Sequence, residues 1–332
     1  MTSLVPVSDV AIQTDCSGSL SSLERRRFLT TSAAGVAAMA LPAALLAAGS
    51  ESASRHTLGD SELLVVSDGY FQIPLNVLVP ESATSKEERE AFLTANNLSD
   101  ETFKPDCNIT LWRSGEKLVL FDTGSGSQFV ATAGKLLDGL AESGIEATDI
   151  TDVVFTHAHP DHMWGLIDDF DELTFPEAAY HMSATEWNYW LADSTIDTIP
   201  GNRKTFVVGA QNRFPLIEER VQLFSAGDEV LPGVEAVDTQ GHTPGHTSFA
   251  LHQGTDSILV VGDALAHSVV SFEKPNWPSG TDQDPETAKA TRLKLLDRLA
   301  HEQSRIVGFH LPYPGLGRVE RKDSYYQFAL VD

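Results

Sequence analysis

Residues 155–165 read FTHAHPDHMWG, and the reading of the whole chain turns on this stretch. His157, His159, Asp161 and His162 fall within six positions, in a sequence of 332 residues that has 11 histidines in all. The apolar run DVVF (152–155) precedes them, which reads as a buried strand opening into a loop. In extended chain positions 157 and 159 point the same way. A turn at Pro160 swings Asp161 and His162 toward a neighbouring point. Imidazole nitrogen and carboxylate oxygen are the donors that Zn²⁺ and similar borderline cations accept. Four such donors exceed the usual share of one loop on one ion, whereas two adjacent ions use them economically.

Further donors are then expected at other strand ends, where layered α/β folds place functional groups. QGHTPGH (240–246) offers His242 between a glycine and a Thr-Pro turn. ILVVGDA (258–264) ends a strongly apolar run on Asp263, and RIVGFHLP (305–312) does the same with His310. Taken singly, each of these has an ordinary role as a hydrogen-bonded or turn residue. They gain weight as partners of the histidine-rich loop.

The chain is 42% hydrophobic and 21% charged, with a formal charge of −24. That supports one large core and argues against nucleic-acid binding, because phosphates would be repelled without a dedicated basic patch. The two cysteines, Cys16 and Cys107, form no CxxC pair, so a sulfur-rich metal site is not expected.

The clearest basic run, Arg25-Arg26-Arg27, precedes an alanine- and leucine-rich stretch in ERRRFLTTSAAGVAAMALPAALLAA (24–48). Residues 1–50 therefore read as an export signal cleaved within 47–54, with a retained membrane anchor as the alternative, leaving one domain over 51–332. Arg-Arg followed by Phe28-Leu29 resembles the twin-arginine type, although Glu24 and Thr30 depart from it. That implies the twin-arginine machinery as a partner and a periplasmic or secreted location. The oligomeric state is open, with a homodimer among the candidates.

Within 51–332, SELLVVSDGYFQI reads as strand, turn and strand, and SKEEREAFLTANN as a helix. NITLWRSGEKLVLFDTG reads as a hairpin. FVATAGKLLDGLAESG reads as an amphipathic helix closed by Gly144. AAYHMSATEWNYWLAD predicts a strand and then a helix, with Ser183 and Glu186 as a capping box. Asp284-Pro285 opens a helix to about His301. Strands alternating with helices in two similar halves, without a linker, predict one layered α/β domain.

His-x-His-x-Asp-His, a later Gly-His, an Asp after an apolar strand and a final His resemble the signature of the metallo-β-lactamase-fold hydrolases. FDTG (121–124) adds to the match, which runs over most of residues 60–332. THAHPDH, GHTPGHT, GDA and HLPYPGLG look closest to the branch of methyl parathion hydrolase and the quorum-quenching lactonases. The family's usual Gly-Gly after the cluster is here Met163-Trp164-Gly165.

The resemblance implies a four-layer αββα sandwich carrying two divalent ions, zinc by expectation. His157, His159 and His242 would hold one ion, Asp161, His162 and His310 the other, and Asp263 would bridge them. Asp161 and Asp263 are then the expected catalytic carboxylates, and Asp122 and His246 would support the ligands. The implied activity is hydrolysis of a lactone or related small-molecule ester by a bridging hydroxide. A phosphotriester is the alternative substrate; β-lactamase action or a non-catalytic metal protein fit less well. Trp164, Trp187, His267, Phe272 and Trp277 are candidates for the substrate pocket, with Trp190 sharing the face of Trp187. Ordinary core packing is the competing role for each aromatic.

Overall fold

The computed structural model describes residues 53–98 and 102–331. The export-signal reading therefore lies outside the described residues.

Two seven-stranded sheets run in chain order. The first holds β1 (Ala53–Leu58), β2 (Ser61–Tyr70), β3 (Asp106–Ser114), β4 (Lys117–Phe121), β5 (Asp152–Val154), β6 (Ala179–Ser183) and β7 (Val221–Phe224). The second holds β8 (Glu229–Leu231), β9 (Val234–Asp238), β10 (Thr247–Gln253), β11 (Asp256–Val260), β12 (Arg305–Val307), β13 (Leu316–Arg321) and β14 (Tyr326–Leu330). The first four strands pair antiparallel and β4 to β7 pair parallel. In the second sheet β11 and β12 are the parallel pair.

Side-chain alternation along the strands builds the layers. Leu63 and Val65 of β2 face Phe249, Leu251, Ile258 and Val260 in a core between the sheets. Leu64 and Val66 point the other way, into a core shared with the helices Leu136–Glu142, Ala184–Leu191 and Lys204–Arg213. Ala250 and Leu259 point outward from the second sheet onto Leu295, Leu296 and Leu299 of the helix Pro285–Glu302. Helix, sheet, sheet and helix form the expected four layers in one domain.

The local expectations mostly hold. The helix Lys86–Ala95 is capped by Ser85, and Asp284 caps Pro285–Glu302 by accepting from the Thr287 N–H. β3 and β4 form the hairpin at Ser114-Gly115.

Three expectations are corrected. β2 is one strand that bulges between Ser67 and Gly69, not two strands around a turn. Gly69 has φ 107°, and a Cβ there would meet the Thr132 carbonyl oxygen at 2.2 Å. The helix expected over 129–144 spans only Leu136–Glu142. Buried Asp68 accepts from the backbone N–H groups of Ser125, Gly134 and Leu136, at 2.9, 3.2 and 2.9 Å, and pins the preceding residues as a loop. The capping box is absent: Ser183 makes no side-chain cap bond, and Glu186 turns into the protein interior.

Candidate metal centre

The loops that leave β4, β5, β9, β11 and β12 carry the polar residues of one buried site. The first group is His157, His159 and His242. His159 Nδ1 lies 3.0 Å from His157 Nε2 and 2.9 Å from His242 Nε2. The second group is Asp161, His162, Asp263 and His310. His310 Nε2 lies 3.1 Å from Asp161 Oδ2, and His162 Nε2 lies 3.2 Å from Asp263 Oδ1. Asp263 Oδ2 reaches both groups, at 3.2 Å from His242 Nε2 and 3.4 Å from His310 Nε2. All seven side chains singled out as ligands in the sequence therefore converge.

The outer ring nitrogens are held by partners that fix each imidazole. His162 Nδ1 donates to Asp122 Oδ2 at 2.8 Å, and Asp122 also accepts from the Thr156 N–H and hydroxyl. His242 Nδ1 lies 3.2 Å from Asp282 Oδ1, whose other oxygen accepts from Arg292 at 3.1 Å. His310 Nδ1 donates to the Asp106 carbonyl at 2.8 Å. His159 Nε2 lies 3.3 Å from the Gln283 side-chain nitrogen, while Gln283 Oε1 is buried without a partner. Turning that amide over would let His159 Nε2 donate to Gln283 Oε1 and leave the His159 Nδ1 lone pair facing inward. His246 Nε2 accepts from the Asp263 N–H at 2.9 Å, so it steadies the backbone of the shared aspartate.

The donor set fits a pair of cations. His162 Nε2 and Asp263 Oδ1 are buried, face one another and have no hydrogen-bond partner. An orphaned pair is costly unless something occupies the space between its members. Burial, then mutual repulsion with neighbouring imidazoles, lowers the pKa of His157 and His159, leaving neutral nitrogen donors. Burial alone would lower His162 too, but Asp263, Asp161 and Asp122 override it and raise it well above its ordinary value. Burial is likewise overridden at His310, chiefly by Asp263. Positive charge is therefore favoured where a cation would sit, and binding one there releases protons.

Asp122 holds φ 67°, a left-handed conformation that costs energy for a residue with a Cβ. Removing its carboxylate in Asp122→Ala frees the His162 ring. Metal affinity is then expected to fall by roughly 10–100-fold, read by competition with a chromophoric chelator, and stability by about 2–4 kcal/mol because the Thr156 N–H and hydroxyl lose their acceptor.

Sequence reasoning missed Glu186, which joins the two histidine loops. Its Oε1 accepts from the Ala158 N–H at 3.0 Å and Trp190 Nε1 at 2.6 Å. Its Oε2 accepts from the Thr243 hydroxyl at 2.7 Å and the Gly245 N–H at 2.9 Å. Burial pushes this carboxyl up and the four donors pull it down. The spacing of Glu186 and Trp190, four apart on an apolar helix, was the one available signal.

A cleft of about 270 Å³ opens on His159, Asp161, His242, Asp263 and His310. Its wall is Phe71, Ile73, Phe103, Phe129 and Phe206, not the aromatics expected from the sequence. Phe71 meets His310 edge-on at 5.3 Å and Phe206 meets His159 at 5.5 Å. The expected residues lie behind this wall or away from it. Trp164 packs on Phe129, and His267 lies tilted against Phe103 at 4.5 Å while its Nδ1 accepts from the Val269 and Val270 N–H groups. Burial lowers His267 to about 4, so it is neutral. Trp277 packs on Phe92, Phe272 on Phe328, and Trp187 stacks flat on Phe214 at 4.5 Å in the core. Trp187→Ala is therefore expected to cost about 3–5 kcal/mol of stability. A denaturation curve reads that loss, with KM unchanged because the side chain touches no substrate.

A family model described as Metallo-beta-lactamase superfamily matches residues 104–310. The chain belongs to that superfamily and is a metallo-hydrolase of it. It is similar to a curated relative named "Probable metallo-hydrolase Rv2300c" from Mycobacterium tuberculosis, 26% identical over 230 residues, covering 61% of this chain and 70% of the relative. Among solved structures it is similar to AidC, a dizinc quorum-quenching lactonase in complex with a product. The two are 30% identical over 84% of this chain and 97% of that one, with a TM-score of 0.78. It is also similar to the hydrolase AbOPH in the beta lactamase superfamily. That match is 26% identical over 86% and 99% of the two chains, with a TM-score of 0.79. The two His/Asp groups fit the dinuclear metal site of this family.

Proposed function

We propose that the protein hydrolyses lactones or related carboxylic esters with two zinc ions. His157, His159 and His242 would hold one ion, Asp161, His162 and His310 would hold the other, and Asp263 would reach both. The observation that carries the substrate class is the aromatic cleft, which opens directly on Asp161, Asp263 and His310. An acyl chain or ring has an apolar wall to lie on, while its carbonyl faces the polar floor. Likeness to a dizinc lactonase supports the same reading.

When bound, two zinc ions supply Lewis acidity and bring the pKa of coordinated water from about 15.7 to near 7. The chain supplies the rest. The five imidazoles and two carboxylates suit zinc, and their outer partners, Asp122, Asp282 and the Asp106 carbonyl, keep three of the rings aimed. Asp161 reaches the cleft and is held ionised: burial opposes its charge, but His162 and His310 outweigh that. It is therefore placed to orient the attacking water by accepting a hydrogen bond from it. The apolar wall excludes bulk water and strengthens each of these interactions.

The test is kcat/KM on an N-acyl-homoserine lactone, a phosphotriester and a β-lactam, with and without restored zinc. The lactone is expected to be turned over best, and a faster phosphotriester reaction would replace the lactone reading. Export by the twin-arginine route is a further part of this proposal, supported by Arg25-Arg26-Arg27-Phe28-Leu29. Cell fractionation should place the protein outside the cytoplasm, and Arg25, Arg26 and Arg27 together replaced by Lys should trap it inside.

A further inference from the structure

One ionisable side chain in the cleft has no part in the chemistry above. Arg203 ends the short turn Gly201–Arg203 and lines the cleft beside Asn202 and Phe206. Every other ionisable residue lining the cleft among those described belongs to the metal-ligating set. A guanidinium offers five N–H donors. Arg203 Nη2 donates to the Gly280 carbonyl, and no carboxylate of the described residues forms an ion pair with it.

The other buried arginines of this region are differently provided for. Arg292 is paired with Asp282 and also donates to the Pro275 and Trp277 carbonyls. Arg213 donates to two carbonyls and to Gln128. The chain carries 47 acidic residues against 23 basic ones, yet among the described acids Asp282 acts on the cleft arginine only from beyond ion-pair distance. A half-buried cation on an apolar wall, with donors still open to solvent, is free to take a ligand that enters the cleft. Burial works against its charge, and Asp282 and Tyr189 offset that only in part.

We propose that Arg203 anchors an anionic group of the substrate, a carboxylate carried away from the ester that is cleaved. The substrate is then two-ended. Its scissile carbonyl sits over Asp161 and Asp263, its apolar body lies along Phe71, Phe103 and Phe129, and its carboxylate meets the guanidinium. Planar, forked donors suit a carboxylate in two-point contact, which a lysine would not reproduce. This assignment rests on the ester-hydrolase reading and narrows its substrate class.

The experiment is calorimetric titration of the zinc-loaded protein with succinate, adipate and suberate against butyrate, hexanoate and octanoate. One end of each acid can occupy the metal floor, so the comparison isolates the second carboxylate. Wild type is expected to bind at least one dicarboxylate roughly tenfold tighter than its monocarboxylate partner. Arg203→Met should abolish that preference and Arg203→Lys should keep part of it, with zinc content unchanged in both. A merely structural role would weaken both members of a pair alike. Equal binding of all pairs by wild type, or a preference that survives Arg203→Met, overturns the proposal. Hydrolysis of 4-nitrophenyl hexanoate and mono-4-nitrophenyl adipate is measured alongside. If neither is cleaved but the dicarboxylate preference persists, the ester reading fails and the Arg203 site stands.

Discussion

Asp263→Asn lowers kcat/KM by about a thousandfold or more and leaves the protein folded with fewer than two ions. Asparagine keeps the size of the side chain but removes the negative charge that faces three imidazoles, at 3.2 Å from His162 and His242 and 3.4 Å from His310. It also turns an N–H₂ donor toward nitrogens that need an acceptor or an ion. Loss of about 4 kcal/mol of transition-state stabilisation corresponds to that factor, and it is in the range expected for dismantling a metal site. Activity and zinc content measured on the same sample check it. Wild-type turnover in the variant would contradict the shared role of Asp263.

The second large effect is on stability. Glu186→Ala strands four buried donors: the Ala158 and Gly245 N–H groups, the Trp190 indole and the Thr243 hydroxyl. Leaving several buried donors unmatched and opening a cavity is expected to cost about 3–5 kcal/mol. Chemical denaturation reads this as a lower midpoint, with Tm falling by roughly 10 °C. Glu186→Gln keeps the volume and one acceptor oxygen, so it should lose less, about 1–3 kcal/mol. Ala158 lies between His157 and His159, and Gly245 lies three residues after His242. Both variants should therefore also weaken metal binding by the three-histidine group. A Glu186→Ala protein as stable as wild type would show that the four bonds contribute little.

The contrast between Asp263 and Glu186 explains what the sequence could reveal. The seven converging residues stand at strand ends after apolar runs, and three of the histidines crowd one short loop, so local pattern was enough to find them. Glu186 acts across 28 and 59 positions of chain, on Ala158 and Gly245, and no local window contains its partners. Its place three residues after Ser183 instead mimicked a capping box. The fold competed with that local arrangement and won, because an acceptor for four buried donors outweighs one cap bond.

The same limit applies to the cleft. Trp187 and Trp190 share a helix face, but that face lies on the sheet, where burying indole area is most favourable. The residues that do line the cleft, such as Phe71 and Phe129, come from separate loops. Asp68 shapes the second of these loops through three backbone bonds, which also shortened the helix expected before Gly144. Arg203 and Asp282 likewise have no periodic neighbours to mark them. Layer order and metal ligands were legible because each follows from short-range alternation or crowding; pocket walls depend on which loops meet.

Metal content and turnover determined together on one purified sample test the central claim most directly. Two zinc ions per chain are expected, with ester or lactone hydrolysis abolished by chelation and restored as zinc is returned. Undiminished turnover by protein shown to be free of metal would contradict it.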